Sequence, residues 1–140
     1  MLEKVEPAID ELLADMENNK RGILPLKPGS SIKEYTVDFC QGAPGIIPLL
    51  TVAAEVYPHK KNRILDAARL AAELTWKEGL LPQGNGLASG IAGNGYLMHT
   101  LYRTLHRRGI CDKNKKLQDE AMIWWERAHL FARAMFEPDV

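Results

Sequence analysis

Two glycine pairs, each spaced Gly-x-x-Gly and each opening a long run without charge, constrain this 140-residue chain more than any other feature. The pairs are Gly42/Gly45 and Gly90/Gly93. No charged residue appears between Phe39 and Ala54, and from Gly90 the first is Arg103 if histidine is counted neutral. Segments of this kind predict helices over about 43–57 and 91–107. A helix without a polar face is expected to be buried all round. Pro44 suits the first turn of such a helix, where its missing N–H would be unpaired anyway. Pro48 argues for a late start or a kink.

Three amphipathic segments alternate with these two. Leu2, Val5, Ile9, Leu12 and Met16 recur at helical spacing over about 2–17, and Asn18, Asn19 and Gly22 stop the pattern. A loop with Pro25, Pro28 and Gly29 follows. Over about 62–78, Arg63, Asp66, Arg69, Glu73 and Lys77 form one charged stripe, with Ile64, Leu65, Ala68, Ala71, Ala72 and Leu74 on the other side and Gly79 at the end. Over about 117–136, Leu117, Ala121, Trp124, Ala128, Phe131 and Met135 form an apolar stripe, with Pro138 at the exit. Of the adjacent Trp124 and Trp125, only one can face the core. Gly109–Lys116 reads as a solvated turn. The glycine pairs are offset by 48 residues, and the same shift pairs Leu49 with Leu97 and Ala53 with Leu101. A two-helix repeat of this size predicts an all-α, stacked helical-pair architecture, with the helices buried all round inside and the amphipathic ones outside.

Composition narrows the function classes. Lys plus Arg and Asp plus Glu both number 18, so there is no global basic field to hold nucleic acid. The longest uncharged stretches carry Gly or Pro and fall short of the ~20 apolar residues of a membrane span. Two cysteines, Cys40 and Cys111, make no disulfide framework, which points to a reducing, cytoplasmic setting. The acid-containing N-terminus does not read as a secretory signal. Gly84-Asn85-Gly86 lacks the preceding strand and the Gly-Lys-Ser/Thr tail of a phosphate loop. His99 and His106 share a helix face without a carboxylate at matching spacing, and so read as packed or solvated side chains. The basic residues from Arg103 to Lys116 read as helix-end charge and a solvated turn.

The stretches Phe39-Cys40-Gln41-Gly42-Ala43-Pro44-Gly45 and Gly84-Asn85-Gly86-Leu87-Ala88-Ser89-Gly90-Ile91-Ala92-Gly93-Asn94-Gly95-Tyr96 resemble the two motifs of the LanC-like family, and the likeness continues through Leu101–Leu105. That family includes bacterial lanthionine cyclases and eukaryotic LanC-like proteins. The resemblance implies an (α/α) toroid of seven helical hairpins, of which a chain this long is an incomplete arc of about five helices, a truncated homologue. It also implies zinc, held by one Cys of the first motif and a Cys-His pair of the second, which activates a thiol for addition to a dehydroamino acid. Cys40 stands at the first ligand position, but Ala88 and Ser89 occupy the other two, and Gln41 replaces the following His. Gln83 stands where eukaryotic members place a basic residue for glutathione. The expectation is therefore a protein without a bound cofactor and without catalysis, at most a peptide- or protein-binding remnant. Gln41, Asn94 and Tyr96 are its candidate contact residues. The alternative is family-like peptide modification, the addition of glutathione or a peptide Cys to dehydroamino acids. The open ends of an arc predict a homo-oligomer, or cover by an upstream segment.

Overall fold

The computed structural model describes residues 2–19, 21–24, 33, 35–81 and 84–137. Five α-helices follow in order: α1 (Leu2–Asn19), α2 (Ala43–Val56), α3 (Lys61–Glu78), α4 (Ile91–Cys111) and α5 (Lys115–Ala134), with a short 3₁₀ turn at Pro58–Lys60 before α3. Among the described residues there is no strand, only one isolated bridge between Thr36 and Gly42. The chain is all-α, an arc of a double-layered helical toroid. Helices α2 and α4, whose first three turns carry no charge, pack on each other as the inner layer. α3 and α5 back them, and α1 docks on α3.

The apolar stripes lie where burial needs them. Ala121, Trp124, Ala128 and Phe131 of α5 are buried, and Trp125 is half-buried on a neighbouring face. Arg127 lies over both Trp76 and Trp124, at 5.1 and 4.7 Å from the ring centroids, and pairs with Glu73. The charged stripe of α3 is not simply solvated. Arg63 reaches Glu17 and Asp10 of α1, while Arg69 reaches Glu120 of α5, so the stripe stitches α3 to both outer neighbours. A further tie joins Arg21 and the Tyr35 hydroxyl to opposite oxygens of Glu78.

Several sequence expectations shift. In α1 the buried set is Ile9, Leu13 and Met16. Leu12 is only half-buried and Val5 is exposed, because among the described residues α1 packs mainly on α3 and so has a narrow contact stripe. α2 begins at Ala43 and runs through Pro48, so its start is not late. α4 continues one turn past 107, to Cys111. Gly109, read as a turn signal, is a buried glycine of close approach: a Cβ there would stand 2.7 Å from Gln118 Cγ, and the Gln118 side-chain amide donates to the Gly109 carbonyl. The turn is shorter than expected. It is made by Lys113 at φ 51° and by Asn114, whose side chain accepts from the Leu117 N–H and so starts α5 at Lys115. α5 ends at Ala134, and Pro138 and the Pro25–Ser31 loop lie outside the described residues.

The inner helices are not buried all round. Leu49, Val52 and Val56 of α2 are 47%, 60% and 40% exposed, and Tyr96 of α4 is 62% exposed. Each inner helix packs against outer helices on one side, but the face toward the toroid's interior is open.

Candidate functional site

The loops that lead into α2 and α4 repeat each other in three dimensions. Gly42 and Gly90 are extended, at φ −137°, ψ −177° and φ −135°, ψ −176°, a conformation open to any residue. Space, not torsion, requires glycine here. A Cβ on Gly42 would stand 2.2 Å from the Thr36 carbonyl oxygen, one on Gly45 2.1 Å from that of Phe39, one on Gly90 2.4 Å from that of Gly84, and one on Gly93 2.0 Å from that of Leu87. In every case the intruding carbonyl belongs to the residue six positions earlier. Each loop therefore coils back over the first turn of the helix it introduces, and the 48-residue repeat is a repeat of this wrap.

The wrap brings the two motif loops side by side. The Cys40 N–H donates to the Ala88 carbonyl at 3.2 Å and also to Asp38 Oδ1 at 2.9 Å. Asp38 Oδ1 accepts from the Gln41 N–H as well, and Thr36 Oγ1 donates to the Gln41 carbonyl. Cys40, Gln41, Ala88 and Ser89 are all exposed. A buried, merely space-filling Cys40 is thus not what the fold contains. The donor atoms offered by these positions are one sulfur at Cys40 and one neutral hydroxyl at Ser89, since the Ala88 methyl offers none.

Other potential ligands stand elsewhere. Cys111 ends α4, about 30 Å of helix from the motif loops. His99, Tyr102 and His106 stack along α4 with ring centroids 5.3 and 5.4 Å apart, and His129 stacks on Trp125 of α5. Burial, then the positive charge of Arg103 and the nearby His129, hold the His99 imidazole below its ordinary value. Among the described residues, no three His, Cys, Asp or Glu side chains cluster as a metal ion would require.

Asn94 is fully buried, and its amide donates to the carbonyls of Val37 at 2.8 Å and Gly79 at 2.9 Å. It clasps the segment before the first motif and the end of α3 to the first turn of α4. Its Oδ1 has no partner among the described residues. Tyr96, on α4, is exposed, and Gln83 lies outside the described residues. The structure thus brings Cys40, Gln41, Ala88 and Ser89 together at one end of the inner layer, with Asn94 beneath and Tyr96 apart. Sequence reasoning had not singled out the groove between α2 and α4, about 400 Å³, where Arg107 pairs with Glu55.

Comparison with known proteins agrees with this architecture. The family model described as "Lanthionine synthetase C-like protein" matches residues 1–130. The chain is similar to glutathione S-transferase LANCL1 of Danio rerio, 37% identical over 71 residues, and to LanC-like protein GCL1 of Arabidopsis thaliana, 38% identical over 82 residues. The aligned stretches cover 51% and 59% of this chain but only 17% and 18% of those relatives. With paired glycine motifs, wrapped loops and alternating inner and outer helices all in place, and with a family match over nearly its whole length, the chain belongs to the lanthionine synthetase C-like family.

Proposed function

We propose that this arc is a non-catalytic LanC-like protein without zinc, acting at most as a peptide- or protein-binding module in a reducing, cytoplasmic setting. The observation that carries the reading is the donor set at the two motif loops. A catalytic zinc centre needs three protein ligands and an open position. Cys40 supplies one thiol, Ala88 supplies nothing, and Ser89 supplies a neutral hydroxyl. This set does not fit zinc. The remaining capacity is binding, supported by Leu49, Val52, Val56 and Tyr96, which stand exposed on the inner face.

The test is the zinc content of the purified chain after dialysis against metal-free buffer. Well under one zinc per chain is expected, and a stoichiometric ion that is lost in Cys40→Ser overturns the reading. The double substitution Ala88→Cys, Ser89→His is expected to restore zinc binding, because the backbone contact between Cys40 and Ala88 already holds the loops adjacent. One observation favours the alternative of thiol addition to dehydroamino acids: Cys40 is exposed at the motif loops in a chain similar to a protein named a glutathione S-transferase. Incubation with glutathione and a dehydroalanine peptide, read by mass spectrometry, decides it. An adduct forming faster than in the protein-free control restores catalysis.

A further inference from the structure

The groove between α2 and α4 opens on the inner face near the carboxyl ends of both helices, far along them from Cys40. Thr51, Val52 and Glu55 come from α2, and Thr100, Arg103 and Arg107 from α4. Its volume, about 400 Å³, lies within the range of ligand pockets. Two guanidinium groups stand against one carboxylate. Glu55 pairs with Arg107. Arg103 is exposed and has no ion pair or hydrogen bond to any described residue. In a chain of zero net charge, this groove carries a surplus cation with its planar donor fork unused.

The threonines narrow the ligand further. Thr51 Oγ1 donates to the Pro48 carbonyl, Thr100 Oγ1 to that of Tyr96, and Thr104 Oγ1 to that of Thr100. Their protons are committed to their own helices, so what each hydroxyl still offers is a lone pair. A groove with a free guanidinium fork beside hydroxyl acceptors suits a ligand that carries a carboxylate and an N–H donor together. Val52 adds an apolar wall for a short aliphatic stem. A free dicarboxylate would satisfy Arg103 and leave the threonine oxygens unused.

We propose that the α2–α4 groove binds an acidic peptide segment, with a glutamate- or aspartate-type carboxylate on Arg103 and a backbone N–H on the threonine hydroxyl oxygens. This deepens the reading of the chain as a binding module, and it rests on that reading only for the capacity to bind. The zinc assay judges the absence of catalysis separately.

The experiment is calorimetric titration of the whole chain with a capped Ala-Ala-Glu-Ala-Ala peptide, its Gln counterpart, and glutarate. Binding of the Glu peptide is expected, with the Gln peptide and glutarate each at least about tenfold weaker, the scale of one charge-assisted hydrogen bond. Arg103→Gln should weaken the Glu peptide by about the same factor. Glu55→Gln frees Arg107 and should strengthen it several-fold, a gain that a merely structural role would not give. Lys116→Ala, at the start of α5 and outside the groove, should change nothing. Failure of the unmodified chain to bind the Glu peptide overturns the proposal, as does equal binding of the Glu and Gln peptides. Undiminished binding by Arg103→Gln also overturns it. Glutarate binding as tightly as the peptide overturns the peptide assignment. Circular dichroism of each variant guards against misfolding, to which exposed Arg103 and Glu55 are poorly placed to contribute.

Discussion

At the scale of single residues, the fold depends on atoms that are missing. At Gly93 a methyl group would stand 2.0 Å from the carbonyl oxygen of Leu87, and backbone cannot swing away as the end of a side chain can. Gly93→Ala is expected to lose about 2–4 kcal/mol, the range of a severe steric substitution, as measured by urea unfolding. Gly86, in the same loop, has nothing within 4 Å of a built Cβ, and Gly86→Ala should change stability by less than about 0.5 kcal/mol. Equal losses at both positions would show that loop flexibility, not the wrap, is what glycine provides. Asn94→Ala should also be costly. It removes both donors from the Val37 and Gly79 carbonyls, and each orphaned buried group costs about 1–3 kcal/mol. An unchanged urea midpoint would show that water takes over both carbonyls. The spacing of the glycines was legible in the sequence. What they pack against was not: the neighbour is the chain's own loop, six residues back. That path is set by long-range contacts such as Cys40 N–H to Ala88 O, which no local pattern encodes.

At the scale of elements, α1 has the weakest claim to its place. It touches α3 but neither inner helix extensively. Two kinds of contact hold it. Ile9, Leu13 and Met16 are buried, and each such side chain contributes about 1.5–3 kcal/mol. The ion pairs are Glu6 with Lys60 and His59, Asp10 with Lys60 and Arg63, and Glu17 with Arg63. Their groups are largely open to solvent, so water and salt screen each pair and its contribution is small. The apolar stripe therefore dominates, and the charges tune the seam. The tuning has a sign. The hydrogen bond from Lys60, then that from His59, holds the Glu6 carboxyl below its ordinary value, and the hydrogen bond from Arg63 does the same to Glu17. A carboxyl depressed in the folded state stabilises above its unfolded value, near 4.5, and that contribution is lost as the pH falls through the folded value. Melting temperature should therefore fall on acidification below about pH 4.5. The fall should be shallower in Glu6→Gln, Glu17→Gln, which has less to lose. Parallel pH profiles for the two proteins would show that the seam does not feel these pairs. The charged stripe of α3 was plain in the sequence. Its partners were not, because a helix's own periodicity shows which residues share a face and is silent on what faces them.

At the scale of the whole molecule, helices that open on long uncharged runs alternate with amphipathic ones and set the layers, and this much was readable from charge placement alone. The expectation that the inner helices would be buried all round fails for a geometric reason. An inner helix of a toroid has a side toward the interior, and in an arc of two inner helices nothing among the described residues covers it. Leu49, Val52 and Val56 stand open there, while Met122, Ile123 and Leu130 stand open on α5. Patches of this kind favour association, and a net charge of zero supplies little repulsion against it. The chain alone is expected to self-associate with rising concentration across the micromolar range, as read by light scattering and sedimentation. Leu49→Gln with Val56→Gln should shift that equilibrium toward monomer while leaving the melting temperature of the monomer nearly unchanged, since both side chains are already about half in water. A strictly monomeric wild type would mean that the inner face tolerates water as it stands. If the double variant associated as strongly as the wild type, the contact would have to lie on α5 instead, where Ile123→Gln and Leu130→Gln are the substitutions to make next.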